Sequence, residues 1–467
     1  MLKNKLLKNG VLYILSGLLL QGINFFTLPL FTRLMSIESF GVVSIYNTWL
    51  SILSIFICFQ SHGSIGNAKI TYSKNEFDEY ISNILFFSSL IFLIWILFFI
   101  FFKEKISYIL NISIKIIWIM LFQSFFYTII TLKTTVYIFE EKAKEKIWLS
   151  FINISFNILI SVILIRYFYS SEAYLGRIIG GALPVIFLGI YLYISTMKKK
   201  YPTFNIKHLK FCLYLSIPIM FHALSGIILG SSDRLMLEKY KGFYETGLYS
   251  FIYNFGLIIS MVWSALNSAW VPWYYQNMKK SNNSLIKTYS QNYLKFFTFI
   301  CVAFLMLAPD VVKIMAPDKY WSKLNILPLV VGGCYFNFLY SFPANYEFYI
   351  KKTKYIAIAT TGAALINIIL NLYFIPKYGL IGAAFTTFIS YFCMFLFHEL
   401  ITRIKFKYIL LSKYNYFREI LMILFFSIIY NLFLENVLIR ISLLIIYILI
   451  TIKPYLKIIK KLILKTK

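Results

Sequence analysis

Carboxylates are scarce in this chain of 467 residues: 18 Asp and Glu stand against 46 Lys and Arg, and charged residues make up only 14% of it. Histidine, with 4 residues, and cysteine, with 5, are rarer still. Cys58, Cys212, Cys301, Cys334 and Cys393 all fall inside apolar runs without ligand spacing, so the sequence implies neither a disulfide framework nor a metal centre. Phosphate-binding Walker sequences, G-x-S-x-G elbows, H-E-x-x-H helices and paired acidic motifs facing a donor substrate are missing as well. Polar segments between apolar runs stay under about 20 residues, too short for a folded soluble domain. These absences argue against an enzyme and against any cofactor, and leave transport not driven by ATP on this chain.

What abounds is hydrocarbon. The chain is 60% hydrophobic with a mean hydropathy of +0.74, and apolar runs of about 20 residues recur from end to end. Within a bilayer every backbone amide must bond inside its own segment or within a closed sheet. These runs are continuous, without the ten-residue alternation of barrel strands, so an all-α polytopic membrane protein is expected. About fourteen transmembrane helices are read, from residues 10–32 and 40–61 at one end to 419–434 and 437–452 at the other.

Lys and Arg set the orientation. With the N-terminus inside, about 30 of them lie in the N-terminal segment, alternate loops and C-terminal tail, against about 11 in the opposite loops. Both termini are therefore expected in the cytoplasm, and the first span is expected to stay as a helix, since it is too long for a cleaved signal. The formal charge of +28 is spread over short loops on one side, so it reads as membrane topology with attraction to anionic membrane lipids, not as nucleic-acid binding.

The sequence also repeats itself. Arg33-Leu34-Met35 followed by Gly41-x-x-Ser44 returns as Arg234-Leu235-Met236 followed by Gly247-x-x-Ser250, and Ile152-Asn153-Ile154-x-x-Asn157 returns as Ile366-Asn367-Ile368-x-x-Asn371. Each asparagine pair precedes a Gly-rich stretch, Gly176 to Ala182 and Gly379 to Ala384. A repeat of roughly 200 residues spaced by an even number of spans keeps both copies in one orientation, related by a pseudo-two-fold axis along the membrane normal. The expected organisation is a six-helix bundle over 1–200, a second over 201–405, and two extra peripheral helices with a basic tail over 406–467.

Polar residues inside such spans need a reason. Arg33, Arg166, Arg177 and Arg234 all fall near outer span ends, and a planar bidentate donor suits phosphate. The alternative is that each snorkels to headgroups. Asp233 is placed to pair with Arg33. Gln21 and Asn24 in span one, and His222 with Ser225 and Gly226 in span seven, form polar stripes that face either a cavity or a neighbouring helix. Asn153 with Asn157 and Asn367 with Asn371 share helix faces at i, i+4, which fits structural hydrogen bonding better than substrate contact. Trp263, Asn267 and Trp270 form a stripe that suits a sugar ring or an interfacial anchor. Lys133 and Lys295 lie near inner span ends and either extend a cationic route or snorkel. Glu347 is expected to pair locally with Lys351 and Glu399 with Arg403, each at i, i+4, while His62, His208 and His398 near the inner boundary carry less information.

At Ser231-Ser232-Asp233-Arg234-Leu235-Met236-Leu237, Gly247-Leu248-Tyr249-Ser250 and Ala265-Leu266-Asn267-Ser268-Ala269-Trp270 the chain resembles the polysaccharide-biosynthesis, or O-antigen flippase (Wzx-type), family of the multidrug/oligosaccharidyl-lipid/polysaccharide exporter superfamily. Leu28-Pro29-Leu30-Phe31-Thr32-Arg33-Leu34-Met35-Ser36 with Phe40-Gly41, and Asn367 to Asn371 with Ile375-Pro376-Lys377-Tyr378-Gly379, carry the same resemblance. It implies two six-helix bundles around a cavity open alternately to either side, lined by cationic residues. The implied cargo is an oligosaccharide repeat unit on undecaprenyl pyrophosphate, moved to the outer leaflet of the bacterial inner membrane for O-antigen, capsule or exopolysaccharide. Implied partners are a glycan polymerase and its chain-length machinery. Rival readings are a membrane-embedded glycan polymerase or ligase, and a drug or cation antiporter of the same superfamily. The first lacks its usual large outer loop here and the second its first-span carboxylate.

Overall fold

The structure is a computed structural model that describes residue 23 and residues 27–463, with side chains to residue 451. Its long helices are α1 (Ile37–Cys58), α2 (Lys74–Leu110), α3 (Ile114–Phe139), α4 (Ala143–Tyr167), α5 (Ala173–Lys199), α6 (Ile206–Lys279), α7 (Asn283–Met315), α8 (Leu327–Tyr349), α9 (Thr353–Leu400), α10 (Lys413–Leu432) and α11 (Val437–Ile463). Nine helices among the described residues are long and apolar enough to cross a membrane. The chain is an all-α polytopic membrane protein.

Two of these helices are double. α6 breaks at Gly242 (φ 82°, ψ 179°) and α9 at Gly379 (φ 55°, ψ −129°), conformations that cost an L-residue its Cβ clearance. Divided there, the helices correspond one to one with the second through fourteenth expected spans, and residues 27–34 form the helical C-terminal end of the first. Several run past the apolar core of their span. α2 starts under a Ser73/Glu76 capping box, seven residues before its span, because polar ends extend the helix into the interface.

The described residues form two compact units, one from the chain up to Ser250 together with Thr360–Ala383, the other from Phe251–Ala359 and Ala384 onward. In the first, α5 lies close on α4: a Cβ at Gly180 would sit 2.4 Å from the Ser161 Cα, so only the bare backbone fits. In the second, the last two helices are bound to α7. Arg440, fully buried on α11, donates to both carboxylate oxygens of Asp310 at 3.0 and 2.9 Å and to the Met306 carbonyl at 2.7 Å. Lys313 pairs with Glu435 at 2.7 Å, and the Tyr430 hydroxyl donates to the Leu324 carbonyl at 3.0 Å.

Candidate functional site

The repeated Gly-x-x-Ser motif packs against its own copy. A Cβ on Gly41 would lie 2.2 Å from the Phe243 carbonyl oxygen, and one on Gly247 would lie 2.0 Å from the Ile37 carbonyl oxygen. Each glycine thus rests on the carbonyl four residues before the other. The Ser250 hydroxyl donates to the Ser44 hydroxyl at 2.8 Å, and both serines are buried. The segments 37–44 and 243–250 therefore meet in a self-complementary crossing, as two-fold-related surfaces do. Ser36 sets the start of α1 by accepting from the Ser39 amide at 3.1 Å.

Beside this crossing, Asp233 is buried at 1% exposure. Its carboxylate accepts the Tyr249 hydroxyl through Oδ2 and the Arg234 amide through Oδ1 at 2.8 Å. Arg234 is half-buried and Arg33 exposed. Tyr249 lies two residues beyond Gly247, so the crossing and the carboxylate are tied through one short stretch of α6.

The asparagine pairs occupy two different networks. In the later copy, Asn371 Nδ2 donates to Asn367 Oδ1 at 2.9 Å, Ser232 Oγ donates to the same oxygen at 2.9 Å, and both asparagines are fully buried. In the earlier copy, Asn157 Oδ1 receives Arg177 Nη1 at 2.5 Å, and the same nitrogen reaches Ser161 Oγ at 2.9 Å. The Arg177 guanidinium lies 4.2 Å from the Phe31 ring centroid, a cation–π contact. Gln123 extends this network, accepting from Tyr46 at 2.5 Å and donating to the Gly181 carbonyl at 3.4 Å.

A cavity of about 320 Å³ lies in the same unit among α1, α3 and α6, lined by Ser51, Ser54, Thr128, Thr131, Gln60 and His62 with Tyr127. The four Ser and Thr hydroxyls spend their protons on carbonyls of their own helices, to Asn47, Leu50, Phe125 and Tyr127 at 2.8, 2.7, 2.6 and 2.9 Å. Their lone pairs remain as acceptors for a ligand hydroxyl. Among the described residues, no Lys, Arg, Asp or Glu lines this cavity. His62 carries little information in the sequence, and the four Ser and Thr do not stand out there, since at helical spacing they look like ordinary interhelical contacts. His222, an expected site residue, is exposed on α6 next to the lining Ala223, with its Nδ1 3.5 Å from Thr360 Oγ1.

In the second unit, Trp270 sits in an aromatic cluster, 5.0 Å from Trp273 and 5.0 Å from Tyr293 between ring centroids. Asn267 Oδ1, Trp263 Nε1 and the Tyr293 hydroxyl are buried there without a hydrogen-bond partner among the described residues. The expected pairing of Glu347 with Lys351 is corrected: Glu347 faces inward and binds His398 Nδ1 at 2.9 Å, both side chains fully buried. Lys351 lies past the end of α8 at Tyr349, in a left-handed conformation at φ 58°, so the i, i+4 geometry does not apply. Glu399 does pair with Arg403. Lys133 lies in a separate lysine-lined pocket of the first unit. Gln21 and Asn24 lie outside the described residues.

The model of the polysaccharide biosynthesis protein family matches residues 6–278. The chain belongs to that family. Two relatives from Haemophilus influenzae accompany it: the Lsg locus putative protein 1, 24% identical over 81% of this chain and 95% of its own length, and an uncharacterized membrane protein, 22% identical over 81% and 94%. Among solved structures this polysaccharide biosynthesis protein is similar to the lipid II flippase MurJ in an inward closed conformation, with a TM-score of 0.74 and 20% identity over 97% of this chain and all of that one. It is also similar to an inward-facing multidrug resistance MATE family transporter, with a TM-score of 0.67 and 13% identity over 84% and 98%. These likenesses show a shared fold.

Proposed function

We propose that this member of the polysaccharide biosynthesis protein family is a flippase for undecaprenyl-pyrophosphate-linked oligosaccharide repeat units, carrying them from the cytoplasmic to the outer leaflet of the bacterial inner membrane. The observation that carries the reading is a cavity lined, among the described residues, by hydroxyls and no Lys, Arg, Asp or Glu, inside a fold shared over 97% of the chain with a lipid II flippase. Sugar hydroxyls are donors as well as acceptors, and the lone pairs of Ser51, Ser54, Thr128 and Thr131 receive them without imposing a charge. The pyrophosphate is assigned to the arginine-bearing outer ends, Arg33, Arg177 and Arg234, with Trp270 and Asn267 as a further sugar contact. Moving that charged head through hydrocarbon costs on the order of several kcal/mol or more, which cations and hydrogen bonds offset. The prenyl chain stays in lipid.

In this reading the protein works by alternating access of two six-helix halves, residues 1–200 and 201–405, with the last helices appended and both termini cytoplasmic. The Gly41/Gly247 crossing is then the closed form of the outer gate, and Asp233 with Arg33 its charged latch. The test is deletion of the gene followed by leaflet-resolved analysis of prenyl-linked glycans. Single repeat units trapped on the inner face are expected. Single units that reach the outer surface without polymer would instead mark a polymerase and overturn the proposal. Arg33→Ala with Arg234→Ala should reproduce the deletion at normal protein levels, and full surface glycan in that double variant removes the cationic route.

A further inference from the structure

Apart from the hydroxyl-lined cavity, the first unit holds a second pocket of about 280 Å³ where α3 and α5 end and α2 begins. Four lysines line it, Lys133, Lys142, Lys199 and Lys200, against two carboxylates, Asp78 and Glu140. Each carboxylate already holds a lysine, Asp78 with Lys199 at 2.7 Å and Glu140 with Lys142 at 2.6 Å. Lys142 lies in the turn between α3 and α4, and its hydrogen bond to Glu140 raises its pKa above the ordinary lysine value. Lys133 differs from these. It is half-buried, its Nζ donates to Thr196 Oγ1 at 3.3 Å, and it lies 5.8 Å from the Tyr137 ring centroid. An ammonium has three donors, and a neutral hydroxyl neither uses them all nor balances the charge. The pocket therefore carries surplus positive charge at its base, supplemented by Lys200 at its rim.

Depth and surroundings indicate the ligand. Lys133 lies six residues inside the end of α3, roughly 9 Å below it at 1.5 Å per residue, which is headgroup depth for a pocket opening at a membrane boundary. The volume falls at the lower end of small-ligand sites, about 300 Å³, which is room for a headgroup. On α5 the rim residue Tyr191 continues into an exposed apolar stripe of Phe187, Ile190 and Ile194, a surface for acyl chains that a free anion would not need.

We infer that this pocket binds the phosphate headgroup of an anionic bilayer phospholipid, with the half-buried Lys133 as its cationic contact. The site is independent of the transported glycan. The experiment measures binding of dihexanoylphosphatidylglycerol, dihexanoylphosphatidylcholine and inorganic phosphate to the full chain in neutral detergent by calorimetry. Phosphatidylglycerol is expected to bind and phosphatidylcholine not to, with millimolar phosphate failing to displace the lipid. Lys133→Gln should weaken binding roughly tenfold, as loss of a charge-assisted hydrogen bond does. Lys133→Arg should retain most of it, and Lys200→Gln should cost a few-fold, which keeps the test open should Lys133→Gln fail to fold. Lys144→Gln, an equal change of charge on the exposed start of α4, should have no effect. Absence of phosphatidylglycerol binding, an equal loss in Lys144→Gln, or full displacement by phosphate would each overturn the assignment.

Discussion

The two asparagine pairs share one sequence pattern and hold different partners. Asn157 is bonded to the Arg177 guanidinium, while Asn367 and Asn371 close on each other and on Ser232, the neighbour of the buried Asp233. Asn153 Oδ1, the counterpart of Asn367 Oδ1, is buried with no hydrogen-bond partner among the described residues. The repeated pattern sets two amides on one helix face in both places, and the facing residue decides what they hold. An amide suits both roles because it offers both an acceptor for a cation and donors for an oxygen. The later pair is a closed knot of buried groups; the earlier is an open clasp on a half-buried cation.

That contrast can be broken most forcefully at the buried carboxylate. A double-mutant cycle of Asp233→Ala and Tyr249→Phe, followed by thermal unfolding in detergent, should give a coupling of about 2 kcal/mol, the scale of a hydrogen bond to a charged group. Additive effects would show that the carboxylate rests on other contacts. Next in size, Asn371→Ala should lower stability by about 1–2 kcal/mol because it leaves the closed knot unsatisfied, whereas Asn157→Ala should cost less than about 1 kcal/mol since Arg177 keeps Ser161. The reverse order would refute the distinction between knot and clasp. The smallest stability change is expected for Arg177→Lys, within about 0.5 kcal/mol, yet surface glycan should fall, because an ammonium lacks the planar fork. Unchanged glycan there would reduce Arg177 to a packing cation.

Hydropathy made the helices legible, because a bilayer forces continuous apolar segments of near-constant length. The internal repeat was legible for a different reason: Gly41 and Gly247 must stay small where two backbones touch, and their serines must bond each other. Partners across helices were not legible. Nothing in the sequence rotates Glu347 toward His398 in place of Lys351, or aims Tyr249 at Asp233, since helix rotation and crossing decide such pairs and a one-dimensional pattern carries neither. The hydroxyl-lined cavity escaped for the same reason, its residues coming from α1, α3 and α6, each unremarkable on its own helix. Arg177 and Asn157 were both visible as polar residues in apolar surroundings; that one holds the other was not.

The clamp of Arg440 on Asp310 has a consequence for how the molecule is made. The partners are 130 residues apart in the chain. At roughly 5–20 residues per second of synthesis, Asp310 waits on the order of 7 to 26 s before its cation is even translated. Through that interval α7 carries a carboxylate with no guanidinium to meet it, so the last helices complete the second unit instead of decorating a finished one, and a ribosome that stalls before residue 440 leaves behind a membrane protein with an open lock.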